Sequence, residues 1–96
     1  LLLATFALAP HGAWQDHYSS ANGLRCCGRH DCQVARVQVQ TWEATSVTVE
    51  VNGVVMTLPA GSVHLSEDTQ GWWCAKDVEA SVALENTRCV FVAVGG

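Results

Sequence analysis

Three of the five cysteines in this 96-residue chain fall in one short run, Cys26-Cys27-Gly28-Arg29-His30-Asp31-Cys32, and the others follow at Cys74 and Cys89. Two chemistries suit that pattern. In an oxidising compartment, cysteines at this density form disulfides that supplement the limited core of a small exported domain. In a reducing one, Cys26, Cys27, His30 and Cys32 offer thiolate and imidazole ligands suited to zinc or cuprous copper, with Asp31 placed to orient the imidazole. Structural zinc sites usually draw on paired Cys-x-x-Cys units, whereas the nearest spacing here is Cys-x-x-His from Cys27 to His30. The residue types therefore favour disulfides, with the metal cluster as the alternative.

Four of Cys26, Cys27, Cys32, Cys74 and Cys89 are expected to pair, leaving one over, and spacing alone leaves the connectivity open. A bond between the adjacent Cys26 and Cys27 would close a strained ring. Cys74 and Cys89 bracket a candidate hairpin and could pair across it, or each could receive a cysteine from the N-terminal cluster. At least one such arm-to-sheet bridge is preferred, because the segment from Trp14 to Cys32 shows no other means of attachment. The fifth thiol would be buried and inert, or would link two chains as a dimer.

Other reactive groupings are thin. His30-Asp31 beside Cys27 supplies the types of a nucleophile, base and orienter, but sequence neighbours rarely meet that geometry. No Cys-x-x-Cys redox motif and no glycine-rich phosphate loop occurs, so the chain reads as a non-enzyme. His17 reads as a surface residue and His64 as a strand residue. The four tryptophans, Trp14, Trp42, Trp72 and Trp73, could cover disulfides. An exposed aromatic on a strand could equally stack on a sugar or dock a partner, which makes Trp42, Trp72 and Trp73 the candidate binding residues.

Compartment is suggested by the apolar run Leu1 to Ala9, followed by Pro10, His11, Gly12 and Ala13. It has about half of the ~20 residues that a membrane span needs and resembles the apolar region of a secretory signal. Residues 1–13 are therefore expected to be a signal remnant, with 14–96 a single domain, periplasmic or secreted, that does not insert in a membrane after cleavage. A formal net charge of −4 with only five Lys and Arg provides no basic stripe for nucleic acid.

The elements that must position these residues read as β-structure. Val47, Val49 and Val51 alternate up to Asn52-Gly53, and Val54 to Leu58 follows. Asn-Gly between alternating strands is the strongest short hairpin signal. The implied register pairs Val51 with Val54, Val49 with Met56 and Val47 with Leu58 on one face, and Thr48 with Thr57 and Glu50 with Val55 on the other. Val34 to Thr41 reads as one alternating strand with Ala35, Val37 and Val39 on a face, so that Trp42 falls on the polar face with Gln38 and Gln40. Further strands are expected at Val63 to Leu65, Trp72 to Ala75 and Cys89 to Val94. Only one of Trp72 and Trp73 can then face a single core. Lys76 to Arg88 reads equally as a loop with a helical turn or a short helix, and Asn22-Gly23 as a turn. The expected fold is mainly β: a small antiparallel meander or partly open barrel of five or six strands, disulfide-stapled, with an irregular N-terminal arm.

With His17-Tyr18, the Cys26 to Cys32 run, Trp73-Cys74 and Arg88-Cys89-Val90-Phe91, the chain resembles a group of small secreted bacterial proteins. These combine an N-terminal aromatic, a Cys-Cys-x4-Cys motif ending in Asp-Cys, a β-rich body and two later cysteines. The resemblance implies export and a single domain, and carries no active site. Two functional expectations follow: a binding module for an envelope protein or glycan, or a periplasmic zinc- or copper-binding protein.

Overall fold

The computed structural model describes residues 14–26, 32–77 and 81–94. Residues 1–13, together with Cys27, His30 and Asp31, lie outside these segments, and so does the signal expectation. Among the described residues the chain is mainly β, with seven strands: β1 (Cys32–Val34), β2 (Val37–Trp42), β3 (Ser46–Val51), β4 (Val54–Pro59), β5 (Val63–Leu65), β6 (Trp72–Ala75) and β7 (Thr87–Val92). They form a three-stranded sheet, β2-β3-β4, and a four-stranded sheet, β1-β6-β7-β5. All pairings are antiparallel except β5 with β7. The two sheets stay separate and no barrel closes among the described strands.

The β3–β4 hairpin has the register its pattern specifies, Val51 opposite Val54, Val49 opposite Met56 and Val47 opposite Leu58. Asn52 and Gly53 both take positive φ, 49° and 90°, the conformation that turns two right-twisted strands back on each other. On the outer face, the Thr48 and Thr57 hydroxyls bond at 2.8 Å. On the inner face, Val47, Val49, Val51, Met56 and Leu58 pack with Val63, Trp73, Ala75, Val90 and Val92 of the second sheet, forming the main core.

The segment Val34 to Thr41, expected as one strand, is two. The chain leaves the four-stranded sheet after Val34 and enters the other at Val37. At the crossover the Ala35 N–H donates to Gly71 O at 2.9 Å. A Cβ at Gly71 would lie 2.8 Å from Ala35 O and 3.0 Å from Val37 Cγ2, so only glycine permits this approach. The described part of the Lys76 to Arg88 segment is a loop with one 3-10 turn, Leu84–Asn86, until β7 begins at Thr87.

The four-stranded sheet is covered on both sides. One face of β6 and β7 carries Trp73 opposite Val90, turned toward the main core; the other carries Trp72 opposite Phe91 and Cys74 opposite Cys89. Those four residues, with Cys26 and Cys32, form a second core against which Trp14 and Tyr18 pack. A single core would have exposed one of the adjacent tryptophans; with two, both are buried, at 3% and 1% exposure. Val39 and Val49 are opposite each other on one sheet face, yet Val49 is fully buried and Val39 is 37% exposed. Val49→Ala is therefore expected to cost about 2 kcal/mol and Val39→Ala under about 0.5 kcal/mol, read as urea midpoints.

Candidate functional site

The arm reaches the sheet through a small bent unit. A 3-10 turn spans Trp14–His17, and Ser19 then pairs with Arg25 across a turn at Asn22-Gly23. This brings Cys26 to Cys89 of β7, while Cys32 at the start of β1 stands directly opposite Cys74 of β6 in the same sheet. Two disulfides result, Cys26–Cys89 and Cys32–Cys74, with Cα separations of 5.3 and 3.9 Å. Cys74 and Cys89 are direct cross-strand partners, but each bonds to the arm rather than to the other. The bridges join residues 63 and 42 positions apart, and loop closure at those lengths contributes about 4 kcal/mol each at its entropic limit.

Cys26 and Cys32 are each engaged with a different sheet cysteine, so they offer no thiolates to a common ion; Cys27 and His30 lie outside the described residues. The four paired cysteines leave Cys27 as the fifth.

A histidine that the sequence placed only as a strand residue sits beside the first bridge. His64 on β5 is opposite Phe91 of β7, and a ring nitrogen lies within 4.8 Å of the Cys26 and Cys89 sulfurs. Its Nε2–H donates to Ser19 O at 2.8 Å, because a carbonyl can only accept. The ring lies 4.9 Å from that of Tyr18 and 5.5 Å from that of Phe91, and Trp14 meets Phe91 edge-on at 4.9 Å. The Tyr18 hydroxyl donates to the Glu67 carboxylate at 2.7 Å. That bond, then desolvation and the carboxylate's charge, hold the phenol above its ordinary pKa. His64 was not legible as part of this site because its approach depends on a parallel β5–β7 pairing that no local pattern encodes.

The tryptophans divide differently from the expectation. Trp72 and Trp73 belong to the two cores and present no binding face. The Trp72 indole N–H donates to both Asp68 carboxylate oxygens at 3.1 Å, and that of Trp73 to Thr87 Oγ1 at 2.8 Å. Trp42 is exposed, at 48%, but not on the polar face. A register shift between Val39 and Thr41 inserts Gln40 as an extra residue and sets Trp42 opposite Val47. Because facing residues share a side, Trp42 joins Val37 and Val39 on the inner face. Their partners on β3, Val47, Val49 and Val51, are fully buried. The second sheet thus covers β3 and leaves β2 as an apolar ledge beside a free strand edge.

A separate cleft of about 270 Å³ lies between the arm, β4 and the Leu84–Asn86 turn, lined by Ser20, Asn22, Leu58, Lys76, Leu84 and Arg88 among others. Its hydroxyls serve the fold: Ser62 Oγ accepts the Ala21 N–H at 2.9 Å, and Ser20 Oγ bonds Asn22 Oδ1. No protein-family model, curated protein or solved structure matches the chain.

Asp68 organises the loop that leads into β6. Desolvation raises its pKa, but the Gln70 N–H, the Ser66 hydroxyl and the Trp72 indole outweigh it and hold the carboxyl below the ordinary aspartate value. The stability this gives is complete above the unfolded value of about 3.9 and is lost as pH falls through the lower folded value. Urea midpoints of the wild type and Asp68→Asn should differ most at neutral pH and converge on acidification below about pH 4. A gap independent of pH would exclude this role for the carboxylate.

Proposed function

We propose that the chain is an exported, non-enzymatic binding module, periplasmic or secreted, that holds an extended segment of an envelope or secreted protein along β2. Export is supported by the two intramolecular bridges, which suit an oxidising compartment, and by the signal-like run at the start of the sequence. No helix among the described residues is long and apolar enough to cross a membrane.

The observation that carries the binding reading is the ledge. Val39 and Trp42 are 37% and 48% exposed on the side of the sheet where their β3 neighbours are completely buried. The strand Val-Gln-Val-Gln-Thr-Trp contains no charge and no proline, the usual protections of an open edge. Among the described residues it is paired on one side only. Strand addition would supply backbone hydrogen bonds along that edge, while apolar side chains of the incoming segment cover Val39 and Trp42. The opposite edge strand, β4, is flanked by the cleft-forming Leu84 turn and is less open. A glycan is the second candidate ligand, since an exposed indole can stack on a sugar ring.

The test is selection of a displayed random-peptide library on the oxidised protein, followed by amide NMR mapping of a selected peptide. Perturbations should concentrate on β2, and Trp42→Arg and Val39→Arg should each weaken binding at least tenfold, by about 1.4 kcal/mol or more, without unfolding the domain. Peptides that map to the cleft, or binding indifferent to both substitutions, would refute the edge site. Binding of peptidoglycan fragments through Trp42, with no peptide selected, would replace the protein partner by a glycan.

A further inference from the structure

The histidine beside the Cys26–Cys89 bridge suggests a second state of the molecule. Among the described residues, the Cys26 sulfur, the Cys89 sulfur and a His64 ring nitrogen all lie within 4.8 Å of one another. They come from three separate segments, the arm, β7 and β5. In a tetrahedral zinc site with Zn–S near 2.3 Å and Zn–N near 2.0 Å, ligand atoms sit roughly 3.5–3.8 Å apart. Once the sulfurs are no longer bonded, modest side-chain rotations bring the three into that range.

The imidazole is held by a hydrogen bond to the arm. Its Nε2–H is committed to Ser19 O, which fixes the tautomer and leaves Nδ1 with a lone pair. A backbone carbonyl holding one ring nitrogen is the usual outer support of a metal-bound histidine. The ring also packs against Tyr18 and Phe91, which touch each other at 5.4 Å.

The arm does not depend on this bridge alone to stay docked. The Arg88 guanidinium of β7 donates to Arg25 O of the arm at 3.2 Å. Tyr18 holds Glu67, and the Ala21 N–H reaches Ser62 Oγ. When the Cys26–Cys89 bond opens, its two thiols therefore remain facing His64.

We propose that the Cys26–Cys89 bridge is a redox-gated zinc site, closed to metal when oxidised and a Cys2His site when reduced. A dithiol reductant transfers two electrons and two protons to the bridge, leaving Cys26 and Cys89 as thiols and the reductant as a disulfide. Zinc then displaces both thiol protons to solvent and forms two Zn–S bonds and one Zn–N bond, with a water in the fourth position. The ligand set differs from the cluster suggested by sequence proximity: only Cys26 is shared, and the other ligands are His64 and Cys89, the latter 63 positions further along the chain. This inference is independent of the β2 edge.

Zinc itself is the probe. The full domain is prepared oxidised, and separately reduced with a phosphine under anaerobic conditions. Each is equilibrated with zinc, desalted and weighed by native mass spectrometry, and folding is followed by near-ultraviolet circular dichroism. The expected result is one zinc per reduced folded chain and none on the oxidised one. His64→Ala should weaken zinc binding to the reduced protein at least about tenfold. Cys27→Ser and the Cys32→Ala/Cys74→Ala pair should retain the zinc, which separates this site from the other thiols. Zinc binding unchanged in His64→Ala, zinc retained by Cys26→Ala/Cys89→Ala, or a reduced chain that zinc leaves unfolded would each overturn the proposal.

Discussion

The structure depends on β6 and β7 being apolar on both faces. Trp73, Ala75, Val90 and Val92 face the three-stranded sheet, while Trp72, Cys74, Cys89 and Phe91 face away from it. A strand pair of this kind requires a cover on each side, as in the middle layer of a larger protein. The second cover is the N-terminal arm. It has no hydrophobic period of its own and joins the sheet's ladder only at its end, where β1 pairs with β6. Disulfides from Cys26 and Cys32 supply the attachment, and the rings of Trp14 and Tyr18 complete the layer.

That arrangement has consequences for function. With the arm committed to one face of the four-stranded sheet, Val39 and Trp42 in the outer column of the three-stranded sheet stay exposed. The same docking brings the arm's backbone to β5, where Ser19 O meets His64. The open ledge and the histidine-flanked bridge are thus two results of one choice, the use of the arm as a third layer. The Gln15 side chain is fully buried, and its amide nitrogen and oxygen have no partner among the described residues, an unfavourable placement.

Local signals in the sequence were enough for the elements whose register is set by side-chain period and turn chemistry. The β3–β4 hairpin follows from alternating valines around Asn52-Gly53, and β5 and β6 from short apolar runs. The irregular arm, the turn at Asn22-Gly23 and the mainly β class were also legible. What was not legible depends on long-range contacts. The break at Ala35-Arg36 is set by the close approach of Gly71, and the face of Trp42 by a bulge at Gln40 that composition does not mark. The burial of both Trp72 and Trp73 requires a second core, and the count of one core came from treating the arm as a strap rather than a layer. His64 enters the candidate site only through the parallel β5–β7 pair.

The central claim is that the arm is fastened to the inner strands of the four-stranded sheet by two specific bonds. Alkylation of the native protein without reduction, then proteolysis and peptide mass spectrometry, reads the connectivity directly. The account predicts two linked peptides, one joining Cys26 to Cys89 and one joining Cys32 to Cys74, with Cys27 in neither. A peptide linking Cys74 to Cys89, or Cys26 to Cys32, would leave the arm unattached and contradict the three-layer account.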